Sequence, residues 1–233
     1  MIELVDVSYK KDGKLILDNI NVKFDSPFTV ITGPNGSGKS TLAKIIMGIV
    51  KPTKGKVLFN GVDITNYSID KRAKEGISFS FQQPVKFKGL TVYDLIKLSS
   101  PVDLDFVSCC EMLSRVGLCA REYIDREVDD SLSGGELKRI EIATVIARDS
   151  KFNIFDEPEA GIDLWSFNNL IKVFKDLRDK NNSKTIIISH QERIISIADK
   201  VILLENGRIS NKDSLMNEIV SSQCPKVGGE LND

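Results

Sequence analysis

Short apolar, β-branched runs open the chain and alternate with polar turns up to about Val30. Lys11-Asp12-Gly13-Lys14 has the composition of a hairpin turn. Phe28-Thr29-Val30-Ile31-Thr32 predicts a short buried strand, and a glycine-rich stretch, 33–38, follows it. Residues 40–49 then predict a helix that ends near Val50-Lys51-Pro52. From about 86 to 147 the period changes. Apolar Phe106, Cys109, Cys110, Leu113 and Val116 recur every three or four residues, and Gly117 stops the run. This predicts a helical subdomain inserted into an α/β core. The core resumes with a strand at 152–155, a helix at 164–179 and a strand at 185–189. A hairpin is expected around Asn206-Gly207. The segment 221–233 is polar and without period, which predicts a flexible tail after one domain spanning 1–220. There is no internal repeat.

Composition narrows the class. At 233 residues, a sizeable core is within reach without disulfides. Net charge is −1, so no global field draws the chain to nucleic acid or anionic lipid. The first residues carry Glu3 and Asp6 within the apolar stretch, unlike a signal peptide. No apolar run approaches membrane-spanning length. The four cysteines, Cys109, Cys110, Cys119 and Cys224, contain no C-x-x-C pair, which argues against a zinc site. Cys109 and Cys110 are adjacent and point about 100° apart on a helix, so buried thiols are expected rather than a shared cluster site. A reducing cytoplasmic location fits.

Three segments carry chemistry. Gly33-Pro34-Asn35-Gly36-Ser37-Gly38-Lys39-Ser40-Thr41 matches G-x-x-x-x-G-K-[ST] between a strand and a helix. Glycines let backbone N–H groups turn toward triphosphate oxygens, and the helix adds its positive end. Lys39 then supplies charge to the β- and γ-phosphates, and the Ser40 hydroxyl ligates Mg²⁺. Second, the apolar run 152–155 ends in Asp156-Glu157, acids expected beside the phosphate loop at the carboxyl edge of a parallel sheet. Asp156 is expected to hold Mg²⁺ and Glu157 to act as general base. Third, Leu132-Ser133-Gly134-Gly135-Glu136 reads in two ways. Ser133 and Glu136 form a capping box for a helix with Leu137, Ile140, Ala143 and Ala147 on its apolar face. Yet Gly134-Gly135 costs helix stability and leaves two N–H groups uncovered, as an anion site requires.

With these motifs the sequence resembles the ATP-binding-cassette (ABC) ATPases over nearly its whole length. The resemblance implies a P-loop NTPase fold with an antiparallel β subdomain and an inserted helical signature subdomain. It also implies a cofactor pair of ATP and Mg²⁺, and a head-to-tail dimer formed on ATP, with Ser133, Gly134 and Gly135 reaching the nucleotide of the partner copy. Tyr9 stands where the family stacks an aromatic ring on adenine, although an ordinary strand tyrosine is the alternative. Gln82, with Gln83 as its rival, resembles the family's glutamine that touches Mg²⁺. Asp163, in Ala160-Gly161-Ile162-Asp163, resembles the residue that bridges the dimer. His190, the only histidine, resembles the switch residue that contacts the γ-phosphate.

Transport cassettes typically follow the signature with glutamine and a run such as Gln-Arg-Val-Ala. Here the run is Glu136-Leu137-Lys138-Arg139-Ile140-Glu141-Ile142, alongside Phe81-Gln82-Gln83-Pro84-Val85 and Ser189-His190-Gln191-Glu192-Arg193. These look like the Suf-type iron–sulfur cluster assembly ATPase, which implies Suf-type scaffold partners (SufB/SufD-like). Ala160-Gly161-Ile162-Asp163 and Gln191 depart from that family's usual residues. The alternative is the nucleotide-binding subunit of an ABC membrane transporter, with a membrane subunit as partner. A DNA-repair or translation-factor cassette would need a coiled-coil insertion, a second cassette or a basic face, and the sequence shows none. The partner surface is expected at about 85–93.

Overall fold

The computed structural model describes residues 1–180 and 182–210. β1 (Ile2–Lys11) and β2 (Lys14–Phe24) form an antiparallel hairpin. Its turn residues Asp12 and Gly13 both have positive φ, 50° and 78°, the twist that suits a two-residue hairpin. β3 (Phe28–Thr32) leads into α1 (Lys39–Met47). β4 (Lys54–Phe59) and β5 (Val62–Asp63) then complete a sheet of order β2-β1-β4-β5. α2 (Ile69–Glu75) and β6 (Ile77–Ser80) follow.

The next segment is mostly helical: α3 (Val92–Ser99), α4 (Phe106–Arg115), α5 (Ala120–Tyr123) and α6 (Gly134–Ala147). It also carries a two-stranded ribbon that the helical period did not reveal, β7 (Phe87–Thr91) paired with β8 (Glu127–Val128). Two strands this short leave too few alternating positions to register in sequence. β9 (Phe152–Asp156), α7 (Leu164–Asp179), β10 (Lys184–Ile188), α8 (Glu192–Ile195), β11 (Lys200–Glu205) and β12 (Arg208–Ser210) end the described chain. The expected tail and Cys224 lie outside the described residues. Cys109 is buried, as expected, whereas Cys110 is half-buried and Cys119 is exposed.

The main sheet has the order β12-β11-β3-β10-β9-β6 and is parallel except at the β12 edge. Its central strands β3 and β10 read as near-continuous apolar runs because both faces are covered. Along β9, Phe152 and Ile154 join the core shared with α1 and the antiparallel sheet, while Phe155 faces the core built with α6 and α7. β3 and β10 divide in the same way, with Ile31, Ile186 and Ile188 on the first side and Phe28, Val30 and Ile187 on the second. Among the described residues, no helix is long and apolar enough to cross a membrane.

α1 ends at Gly48, whose φ of 84° is the left-handed conformation that closes helices. Arg72, buried on α2, caps that end. Its Nη1 donates to the carbonyls of Ile45 and Ile46 at 2.7 and 2.6 Å, and its Nη2 to that of Thr65 at 2.9 Å. Burial lowers the guanidinium pKa to about 10, so it stays charged at neutral pH. Removing it takes a charged donor from three carbonyls, of which that of Ile45 alone keeps another, the Gly48 N–H, and loses a cation at a helix C-terminus. Arg72→Ala is expected to lower unfolding stability by about 3 kcal/mol, the loss of charged hydrogen bonds in a buried setting. Urea unfolding monitored by circular dichroism checks this; an unchanged midpoint would show the cap to be dispensable.

Candidate nucleotide site

Four parallel strands end at one edge in matching register. Ile188 of β10 pairs with both Ile31 of β3 and Asp156 of β9, and Ser80 of β6 pairs with Phe155. The residues that follow these ends therefore converge: the glycine loop after β3, Glu157 after β9, His190 after β10 and Gln82 after β6. They line an open cavity of about 780 Å³ with Asn35, Gly36, Gly38, Lys39, Ser40 and Thr41.

The loop is shaped by backbone that only glycine tolerates. Gly33 has φ 139°, and a Cβ there would lie 2.0 Å from the Leu204 carbonyl oxygen of β11. No side chain caps α1 at Gly38, so the first-turn N–H groups at Lys39, Ser40 and Thr41 have no intrahelical or side-chain acceptor. The Ser37 hydroxyl is likewise buried without a protein partner. Lys39 is buried, and its ammonium donates to the carbonyls of Gly33 at 2.7 Å and Pro34 at 3.0 Å. Burial lowers its pKa, opposed by Glu157 and Asp156.

Ser40 Oγ donates to Asp156 Oδ1 at 3.0 Å, while Asp156 Oδ2 is buried with no partner. Burial raises the Asp156 carboxyl pKa, and the Ser40 contact opposes this. Two oxygens about 3 Å apart match neighbouring corners of a Mg²⁺ octahedron with bonds of about 2.1 Å, so this pair fits a hard divalent cation. Gln82 Nε2 donates to Glu157 Oε2 at 2.7 Å. Gln82 thus engages the acid beside the pair, and Gln83 does not line the cavity. Glu157 has φ 46°, a left-handed backbone that costs about 1–2 kcal/mol in a residue with a Cβ. Its N–H donates to the Ile188 carbonyl at 3.0 Å, which holds that turn against β10.

Other expected residues stand apart from the cavity. Ser133 caps α6, with its Oγ accepting from Glu136 N–H and its N–H donating to Glu136 Oε2. Gly134 is exposed, and a Cβ there would meet nothing within 4 Å. Gly135 is crowded, with a Cβ position 2.4 Å from the Gly161 carbonyl. Asp163 caps α7 by accepting from the N–H groups of Trp165 and Ser166. Tyr9 is half-buried and packs against the core of the antiparallel sheet. Sequence reasoning missed Lys14, Ile16, Glu159, Ala160 and Gln191, which do line the cavity. The first two come from the β1–β2 hairpin, and no motif marks them.

His190 is exposed at the cavity rim. Partial burial holds its imidazole below the ordinary 6.5, Lys39 pushes it the same way, and Glu157 opposes them. A histidine so placed is neutral at pH 7 and gains its proton only on acidification. As the chain has one histidine, proton NMR reads it without overlap. The midpoint is expected below 6.5, to rise in Lys39→Met and to fall in Glu157→Gln. A midpoint unmoved by both substitutions would separate His190 from the two charges.

Comparison with known proteins agrees with this geometry. The sequence profile described as ABC transporter matches residues 17–160. An uncharacterized ABC transporter ATP-binding protein of Methanocaldococcus jannaschii is 37% identical over 240 residues, covering 99% of this chain and 92% of that one. A putative ABC transporter ATP-binding protein of Pyrococcus abyssi is 35% identical over 215 residues, with 90% and 82% covered. A solved dimeric ATP-binding cassette in a post-hydrolysis state, bound to ADP and Pi, superposes with a TM-score of 0.77 at 25% identity, covering 90% of this chain and 97% of that one. With its phosphate loop, acidic strand end and parallel register, the chain belongs to the ABC transporter family and is an ABC-type ATPase domain.

Proposed function

We propose that this chain is the Mg-ATP-hydrolysing subunit of a two-part machine, working as a head-to-tail pair of cassettes. The observation that carries this is the division of the motifs. The phosphate loop, Glu157, Gln82 and His190 surround one cavity, with Asp156 buried behind Ser40, while Ser133 and Gly134 present an exposed, capped helix end elsewhere. A second copy brings that end to the triphosphate, and its uncovered N–H groups meet the γ-phosphate. Asp163 sits at the same face, beside Leu164 and Trp165, which are 71% and 83% exposed. Exposure of a tryptophan this large supports a protein contact there.

In each composite site Gly33, Pro34, Asn35, Gly36, Ser37, Gly38, Lys39 and Thr41 cradle the phosphates. Ser40 and Asp156 hold the cation, with Gln82 completing the set. Mg²⁺ neutralises charge on the phosphate oxygens. Glu157 orients the attacking water and takes its proton. His190 donates a hydrogen bond to the γ-phosphate, whereas Tyr9, packed on the antiparallel core outside the cavity lining, is given no contact with the base. Glu157→Gln is expected to retain nucleotide binding, to lower kcat by about 100-fold or more, and to accumulate an ATP-bound dimer in size-exclusion chromatography. Turnover at the wild-type rate would remove Glu157 from the role of base.

The relatives' names support a membrane transport subunit as the partner, with the ATPase working from the cytoplasm. An apolar groove of about 210 Å³, lined in part by Met47, Ile49, Ile69, Phe79 and Phe81, suits a docking helix. Val85 and Phe87, in the segment expected to meet a partner, are large apolar side chains left exposed. The second reading, a Suf-type scaffold partner, is favoured by one feature. Lys138 and Glu141, in the run that departs from the typical transport pattern, form a buried ion pair here. Affinity purification from the native cell separates the two: an integral membrane protein supports transport, and a non-membrane scaffold supports cluster assembly. Val85→Asp with Phe87→Asp is expected to abolish either association while leaving nucleotide binding intact. Undiminished association would put the partner elsewhere.

A further inference from the structure

α6 is apolar almost all round, with Leu137, Ile140, Ile142, Ala143, Val145 and Ile146 buried. Two charges sit within this surface. The Lys138 and Glu141 side chains are only 1% and 14% exposed, and Lys138 Nζ lies 3.4 Å from Glu141 Oε2. Burial drives the lysine pKa down and the glutamate pKa up, and each partner's charge opposes the other's shift. A pair this deep is a costly way to gain stability, since apolar side chains of the same volume would serve as well. Its contacts point to what it does instead.

Both backbone groups of Phe81 end on this pair. The Phe81 N–H donates to Glu141 Oε1 at 2.8 Å, and the Phe81 carbonyl accepts from Lys138 Nζ. Ser80 Oγ donates to Glu141 Oε2 at 3.0 Å. The same ammonium donates to the Asp156 carbonyl at 3.3 Å. Those two carbonyls belong to the peptide planes that precede Gln82 and Glu157. One ammonium therefore fixes both peptides whose next residues meet through the 2.7 Å Gln82–Glu157 hydrogen bond. Lys138 also lies five residues from the Ser133 cap, about 7–8 Å along the axis of the same helix.

We propose that Glu141 and Lys138 are positioning residues for ATP hydrolysis: the pair clamps α6 to the Phe81 and Asp156 peptides and so sets Gln82 against Glu157. This rests on Glu157 acting as the base. When a second copy's nucleotide engages the Ser133 end of α6, the clamp carries that displacement to Gln82 and Glu157, so hydrolysis waits on pairing. Neither Lys138 nor Glu141 lines the nucleotide cavity, so removal of the pair changes kcat and leaves nucleotide affinity alone.

The test uses the full chain and three variants: Glu141→Gln, Lys138→Met and the double Lys138→Met/Glu141→Leu. Each single variant is expected to lose stability by stranding one buried charge, and the double to recover the part owed to that unpaired charge, while the Phe81 and Asp156 backbone groups stay without their partner. Recovery of fold must not bring recovery of rate. All three are expected to lower kcat by about tenfold or more, with KM for ATP within about twofold, because misplacement of a reacting group affects chemistry rather than binding. In a Gln82→Ala background, Glu141→Gln is expected to cost less than about threefold, since the route through Gln82 is already cut. A double variant that is as stable as wild type and hydrolyses at the wild-type rate would overturn the clamp. So would a full, multiplicative loss in the Gln82→Ala background. Wild-type protein is the control for the underlying reading: if it fails to hydrolyse Mg-ATP, the proposed function falls. An active wild type with unaffected variants sinks the clamp alone.

Discussion

The parallel register of four strands is the constraint on which the rest depends. β3, β10, β9 and β6 pair so that Ile31, Ile188, Asp156 and Ser80 finish near one edge of the sheet. β3, β9 and β10 are held by apolar side chains on both faces, so a slip of one residue would move these side chains to the wrong core. The loops inherit that precision. Residues far apart in sequence, Lys39, Gln82, Glu157 and His190, share a cavity because the strands before them cannot slide.

Around that edge the chain keeps several local costs. Glu157 adopts a left-handed backbone, and one Asp156 oxygen is buried with no hydrogen bond. Lys39 is turned back on its own loop carbonyls, and α1 begins with no side-chain cap. None of these stabilises the isolated fold. All but the Glu157 backbone would be relieved by the same addition, a polyanion with a divalent cation, since phosphate oxygens satisfy helix amides and lysine while a cation satisfies the orphan carboxylate oxygen. Arg72, at the far end of α1, secures the helix whose near end is left open in this way.

Much of this was legible in sequence because the relevant signals are local. The glycine loop, the apolar run ending in two acids, the Ser133–Glu136 capping box and the Asn206-Gly207 hairpin each occupy a few consecutive residues. What stayed hidden depends on contacts across the fold. The β7–β8 ribbon joins segments some forty residues apart through strands too short to show a period. Lys14 and Ile16 reach the cavity only because the antiparallel hairpin folds over the loop. Lys138 and Glu141 were visible as charged residues of the signature helix, yet their attachment to Phe81 and Asp156 needed the structure. Tyr9 shows the opposite case, a motif position whose ring packs on the antiparallel core, outside the cavity lining.

In the proposed pair each working site is shared between two copies, one giving the glycine loop and the other its Ser133 helix end. Mixing two inactive variants, Lys39→Ala and Ser133→Arg, tests it most directly. If sites are shared, a mixed pair joins the sound loop of one variant to the sound signature of the other. ATPase activity should then reappear, up to about a quarter of the wild-type sites at equal mixing, since half of random pairs are mixed and each holds one intact site. If every site is completed within one chain, both defects persist in every molecule and the mixture stays as inactive as its parts.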